Sequence, residues 1–220
     1  MSREVASHGG TIDKFIGDAV MAFWGAPASN ADHAVDACRA ALACQRALRE
    51  SGLADDAGRP LRVRIGLNSG DMLVGNIGSE LRLNYTVIGD AVNIASRLEG
   101  ANKEYGTDII IGEETRRLAG DRIRVRELDR LTVYGREGGI AIFELLDSDD
   151  TTLPAWVAAS EAGLAAYRAR DFSGAIGQFQ QVLEARPEDR PAQIMLERCR
   201  DFLHAPPGED WEATSAMQTK

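Results

Sequence analysis

The chain has 220 residues, 44% of them hydrophobic and 27% charged, with 22 glycines and 7 prolines, which is the composition of a globular protein and not of a disordered, collagenous or disulfide-stapled one. Lysine and arginine number 25 against 34 acidic residues, a formal net charge of −9, and this argues against sequence-blind nucleic-acid binding, whose affinity comes from neutralising phosphates. The length suits one large domain with a small appendage, and the longest apolar run, Ala19 to Trp24, is far short of the roughly 20 residues a membrane helix needs.

A small anionic substrate remains open, because local field outweighs net charge there. Cys38, Cys44 and Cys199 are odd in number, lie in apolar contexts and have no paired spacing, so they are expected to be reduced core residues of a cytoplasmic protein. The first residues, polar up to Gly9-Gly10, are expected to carry no signal peptide and to run straight into a turn.

Taken in chain order, Thr11 to Ile16 and Ala19 to Trp24 flank Gly17-Asp18, a dipeptide that closes a tight hairpin and leaves Asp18 at its tip. Residues 31–51 carry Val35, Cys38, Ala41, Leu42 and Leu48 at helical spacing behind Asn30 as N-cap. Leu61 to Leu67 alternates as a half-buried strand, and Asn68-Ser69-Gly70-Asp71 is expected to turn it back into Met72 to Gly75 as a second hairpin. Asn84 to Ile88 is extended, and Gly89-Asp90 opens a helix with Ala91, Ile94, Ala95 and Leu98 on its apolar stripe. Beyond it, Asp108 to Gly112 is predicted as a strand and Glu113 to Leu118 as a short helix. Ile123 to Leu128 and Ile140 to Leu145 are further strands. Helices interleaved with hairpins predict an α/β sandwich, its sheet largely antiparallel and covered on one side.

Residues 148–155 turn acidic and polar and mark a linker. Helical patterns follow from Trp156 to Ala169, from Phe172 to Ala185 and from about Pro191 to Leu203, and residues 205–220 are expected to form a flexible tail.

Asn93 and Arg97 lie four apart and so share a helix face that is not the apolar stripe. An arginine beside a neutral amide suits an oxyanion whose charge grows in a transition state. Asp18, at a glycine-containing tip, is a reasonable Mg²⁺ ligand, since that ion takes one or two carboxylates plus substrate phosphates. Taken singly, each of these also fits an ordinary surface residue. His8, His33 and His204 are dispersed, so no zinc site is expected. Gly66, Gly70, Gly75 and Gly78 make neither a dinucleotide fingerprint nor a phosphate loop and are read as turn residues.

Together the residues reproduce a family pattern. Gly9-Gly-Thr-Ile-Asp-Lys-Phe-Ile-Gly-Asp-Ala-Val-Met-Ala-Phe-Trp-Gly25 and Asn84-Tyr-Thr-Val-Ile-Gly-Asp-Ala-Val-Asn-Ile-Ala-Ser-Arg-Leu-Glu99 closely resemble the class III adenylyl/guanylyl cyclase catalytic domain, and Arg64 to Gly70 also fits. The resemblance covers residues 1–147 and implies a ferredoxin-like βαββαβ nucleotide cyclase sandwich, in the α+β class, with a small all-α segment after it. It implies that Lys14 and Thr86 select the purine: Lys14 donates to a ring nitrogen of adenine and Thr86 accepts from the exocyclic amine. Thr at this place is similar to a bacterial subgroup, and the pair favours ATP over GTP. Asp18 matches a ligand of two Mg²⁺ or Mn²⁺ ions per site, Asn93 the residue that orients the ribose, and Arg97 the one that stabilises the α-phosphate. Arg136 stands where relatives often have lysines that reach the triphosphate. The reaction implied is conversion of ATP to 3′,5′-cyclic AMP and pyrophosphate, for intracellular signalling, in a homodimer whose sites combine Asp18 of one copy with Lys14, Thr86, Asn93 and Arg97 of its mate.

The family's other metal-binding Asp lies in a Phe-x-Asp motif on a first strand, ahead of the region where this sequence begins. The chain is therefore expected to be a catalytic region lacking its first strand and helix, with its activity in isolation left open, on the cytoplasmic side of any membrane-tethered parent. Two alternatives stay open: a non-catalytic signalling or dimerisation module, and a guanylyl cyclase. In the helical segment, 156–204, Tyr167, Ala175, Phe179 and Pro187 resemble the tetratricopeptide repeat. That segment is expected to pack on the cyclase domain or its dimer mate, with a protein-binding groove as the alternative.

Overall fold

The computed structural model describes residues 1–79, 82–132, 139–147 and 153–216. Its elements are α1 (Ser2–Ser7), β1 (Thr11–Ile16), β2 (Ala19–Phe23), α2 (His33–Ser51), β3 (Ile65–Leu67), β4 (Leu73–Ser79), β5 (Arg82–Ile88), α3 (Asp90–Tyr105), β6 (Ile109–Gly112), α4 (Glu113–Ala119), β7 (Val125–Thr132), β8 (Ile140–Leu145), α5 (Ala155–Arg168), α6 (Phe172–Ala185), α7 (Arg190–His204) and β9 (Ser215–Ala216). The central sheet runs β3-β6-β8-β7-β9, and β1-β2 and β4-β5 form two separate hairpins.

The first hairpin is where the sequence puts it, with Gly17 at φ 63° beside Asp18 in the turn. The second hairpin differs from expectation. It joins β4 to β5, antiparallel from Leu73↔Ile88 to Ser79↔Arg82, while β3 pairs in parallel with β6. Residues 61–64 lie outside any strand, and β3 is only three residues long. Its Gly66 is not a turn residue: a Cβ there would lie 2.2 Å from the backbone oxygen of Ala95, so glycine lets α3 press directly on the strand. Gly75 and Gly78 likewise sit within β4. The N-terminus forms the helix α1 before Gly9 turns the chain, instead of entering the turn directly.

The sheet is covered on both faces, not one. Successive side chains of a strand point to opposite sides. Ile109 and Ile111 of β6 pack with Ala34, Val35, Cys38 and Ala41 of α2, whereas Ile110 packs with Ile94, Leu98, Ala101 and Tyr105 of α3. All three cysteines are free and buried, as expected. Burial pushes the Cys38 thiol up to about 12 and that of Cys199 up to about 11.

The three C-terminal helices form a core of their own around Tyr167, Phe172, Phe179, Val182 and Met195. The end of the chain closes it, correcting the expectation of a flexible tail through residue 216. Trp211 stacks edge-on against Tyr167 at 5.1 Å and Phe202 at 5.3 Å, and β9 pairs with β7 at Leu131↔Ser215 and Thr132↔Ala216. This unit packs on the sheet of its own chain. Arg126 of β7, 1% exposed, pairs with Glu144 of β8 at 2.6 Å and with Asp189 at 2.8 Å. Asp189 also caps α7 by accepting from the Ala192 N–H, and Trp156 of α5 lies over the Arg126 guanidinium at 4.8 Å. A second buried cluster centres on Asp129 of β7, which accepts from Tyr105 of α3, Arg198 of α7 and Ser215. Burial, with the Asp129 charge beside it, holds the Tyr105 hydroxyl far above the usual phenol range.

Candidate active site

The site is assembled at the end of the molecule where the two hairpins meet. Lys14 comes from β1 and Thr86 from β5, 72 residues apart in sequence, and the Lys14 ammonium donates to the Thr86 hydroxyl at 3.0 Å. The Lys14 side chain is half exposed and Thr86 is buried. The Thr86 hydroxyl in turn donates to the Asp13 carboxylate at 2.6 Å, and a second Asp13 oxygen lies 3.6 Å from the Lys14 ammonium. Asp13 is absent from the sequence-derived set of site residues. The only signal for it was an acidic residue beside a lysine in an otherwise apolar run.

Of the other expected residues, Asp18 is exposed at the β1-β2 tip. Asn93 is exposed and Arg97 half-buried in the first half of α3, on the flank of a helix whose Ile94, Leu98 and Ala101 are buried in the core. Thus Lys14 and Thr86 are in direct contact within one chain, and Asp18 is at the hairpin tip. Arg136 lies outside the described residues.

Among the described residues no group of three or more His, Cys, Asp and Glu side chains stands together to hold a metal ion. Mg²⁺ keeps several waters and is commonly bound through one or two carboxylates plus substrate phosphates. The Asp18 carboxylate fits as one such ligand, not as a closed protein cage.

Chemically, the arrangement offers a hydrogen-bonding pair beside a strand, an exposed carboxylate on a turn, and an amide and a guanidinium on one helix face. Residues 4–146, about two thirds of the chain, match the family described as adenylate and guanylate cyclase catalytic domain. The chain belongs to this family.

Among its relatives, adenylate cyclase 1 of Rhizobium meliloti is 42% identical over 147 residues, covering 66% of this chain and 22% of that protein. The terminal-differentiation specific adenylate cyclase of Dictyostelium discoideum is 33% identical over 209 residues, covering 89% of this chain and 10% of that protein. The chain therefore spans less than a quarter of the length of these two relatives. The Dictyostelium match covers more of the chain than the cyclase domain alone supplies, so it takes in helical residues as well. The solved adenylyl cyclase CyaB from P. aeruginosa superposes with a TM-score of 0.58 at 35% identity, covering 70% of this chain and 79% of that one. The guanylyl cyclase Cya2 superposes with 0.56 at 35% identity, covering 69% and 78%. The cyclase domain is thus equally similar to structures of both nucleotide specificities. No helix among the described residues is long and apolar enough to cross a membrane.

Proposed function

We propose that this chain is the catalytic region of an adenylate cyclase, which converts ATP to 3′,5′-cyclic AMP and pyrophosphate in a homodimer. The observation that carries this reading is the 3.0 Å contact between Lys14 and Thr86. Adenine presents a ring-nitrogen acceptor next to an exocyclic amine donor, and a lysine N–H beside a hydroxyl acceptor complements that edge. Guanine presents a ring N–H where adenine has that acceptor, so the Lys14 donor would meet a donor there.

In the reaction the ribose 3′-oxygen bonds to the α-phosphorus and the bond to the pyrophosphate oxygen breaks. Arg97 holds the charge that grows on the α-phosphate, and Asn93 on the same face of α3 orients the ribose. Asp18, with the substrate phosphates, is the residue of this chain that would hold Mg²⁺ or Mn²⁺. Those ions, when bound, ease ionisation of the 3′-hydroxyl and clamp the triphosphate.

A second copy of the chain brings Asp18 to the other residues. Supporting this, six large apolar side chains of the two hairpins stand open: Phe15 65%, Ile16 59%, Leu73 65%, Leu83 60%, Tyr85 43% and Ile88 48% exposed. An apolar surface of this kind beside a site marks a protein contact. The helical unit uses its own sheet as its partner, and no observation favours a groove for another protein. The test is an assay of ATP and GTP with Mn²⁺, using the full-length protein. Cyclic AMP is expected as the main product; dominant cyclic GMP, or no product from either nucleotide, overturns the reading.

A further inference from the structure

The contacts around Thr86 leave its hydroxyl proton no freedom. A carboxylate has no proton to give and an ammonium no lone pair to accept with. Thr86, held between the Asp13 carboxylate at 2.6 Å and the Lys14 ammonium at 3.0 Å, must donate to the first and accept from the second. We infer that Asp13 is a specificity-determining positioning residue, one that fixes the Thr86 hydroxyl as an acceptor toward the nucleotide base and so sets the preference for adenine over guanine. This rests on the adenylate reading proposed above and adds to it a residue that does not itself touch the base.

The backbone is built for this. In a regular strand Asp13 and Lys14, being adjacent, would point to opposite faces. The β1-β2 register slips between Ile12 and Lys14: Ile12 faces Ala22 and Lys14 faces Met21, leaving Asp13 as the extra residue of a bulge. Bulges re-aim side chains, and here both neighbours reach the same threonine on β5. The Asp13 side chain is 1% exposed against 44% for Lys14. The carboxylate is thus the sheltered member, while the lysine keeps N–H groups open to a ligand.

A hydroxyl alone does not discriminate, because a free one can rotate to donate to the guanine carbonyl or to accept from the adenine amine. With its proton committed to Asp13, it offers only its remaining lone pair. Lys14, with three N–H groups, has one on Thr86 and another side toward Asp13, and keeps one for the ring-nitrogen acceptor. The trio therefore displays one donor and one acceptor, in the order adenine needs. Guanine would meet donor against donor and acceptor against acceptor.

The experiment is a competition of ATP and of GTP against a fluorescent adenine nucleotide on the full chain with Mn²⁺, comparing the native protein with Asp13→Asn, Thr86→Val and the double variant. Asparagine keeps the shape of Asp13 but can offer its N–H₂ to Thr86 and free the hydroxyl proton. The native protein is expected to prefer ATP. In Asp13→Asn the ratio of ATP to GTP affinities should fall by about tenfold or more, the scale of one mismatched buried hydrogen bond. In the Thr86→Val background Asp13→Asn should change that ratio no further. A residue that only supports the fold would weaken both nucleotides alike and leave the ratio alone. A native ATP preference that survives Asp13→Asn unchanged, or an equal effect of Asp13→Asn with and without Thr86, overturns the role of Asp13 and leaves the adenylate reading standing. A native protein that does not favour ATP overturns both, and shows it before any variant is made.

Discussion

At the boundary between the sheet and the C-terminal helices the buried charges are matched. Arg126 has Glu144 and Asp189, and Asp129 has Tyr105, Arg198 and Ser215. At the hairpin end the same chain leaves Phe15, Leu73 and Leu83 at 60% exposure or more, and Asp18 and Asn93 are exposed as well. Polar groups are sealed in at one boundary and apolar groups are left out at the other, each against the usual tendency. The contrast separates an interface completed within one chain from a surface that waits for another. The α3 helix joins them: its first half carries Asn93 and Arg97, and its last residue, Tyr105, donates into the Asp129 cluster.

The sharpest way to break the completed side is Arg126→Ala. It strands two carboxylates in a buried place, and loss of one partner from such a cluster costs about 3–5 kcal/mol. Urea unfolding should show that loss, and near-native stability would mean the boundary is wetter than the structure has it. On the open side, Arg97→Ala should leave the unfolding curve unchanged and lower cyclase turnover about 10²- to 10³-fold, the usual effect of removing one charge-stabilising donor. Turnover within a factor of two of the parent removes Arg97 from the site.

A smaller effect tests the apolar surface itself. Phe15→Glu and Leu83→Glu, at positions already exposed, should shift stability by no more than about 0.5 kcal/mol but raise the dimer dissociation constant about tenfold or more. Sedimentation reads the second quantity, and unchanged association would place the partner elsewhere. The last effect is alkaline. Burial raises the Tyr167 hydroxyl to about 12 and the Cys199 thiol to about 11, from ordinary values of 10.0 and 9.0. The folded state therefore holds protons the unfolded chain has lost. This contribution is complete below pH 9 and is lost as pH rises through about 11 to 12. Stability that rises over this range would contradict the burial of the helical core.

Which of these features could be read from sequence follows from their range. The β1-β2 hairpin was legible because Gly17-Asp18 is a local turn signal, and α3 because Ala91, Ile94 and Leu98 repeat with the helical period. The second hairpin was misread: Asn68 to Asp71 has turn composition, but Gly66 serves a close approach to α3, so β3 is drawn to β6 and not to β4. Trp211 was missed because its partners Tyr167, Phe172 and Phe202 are fixed only by tertiary packing. Lys14 and Thr86, which meet at 3.0 Å across 72 residues, were singled out through family resemblance. Asp13 was not, since period-two alternation puts it on the wrong face and only the bulge brings it back.

The claim that matters most is that one functional site draws on two copies of the chain. Asp18→Ala and Arg97→Ala, each made in the full-length protein, should be nearly inactive alone. Mixed in equal amounts, half of the dimers pair the two variants, and each of these holds one site with both residues intact. The account predicts cyclic AMP formation recovering to about a quarter of the parental rate. A mixture no more active than its two components would contradict a shared site.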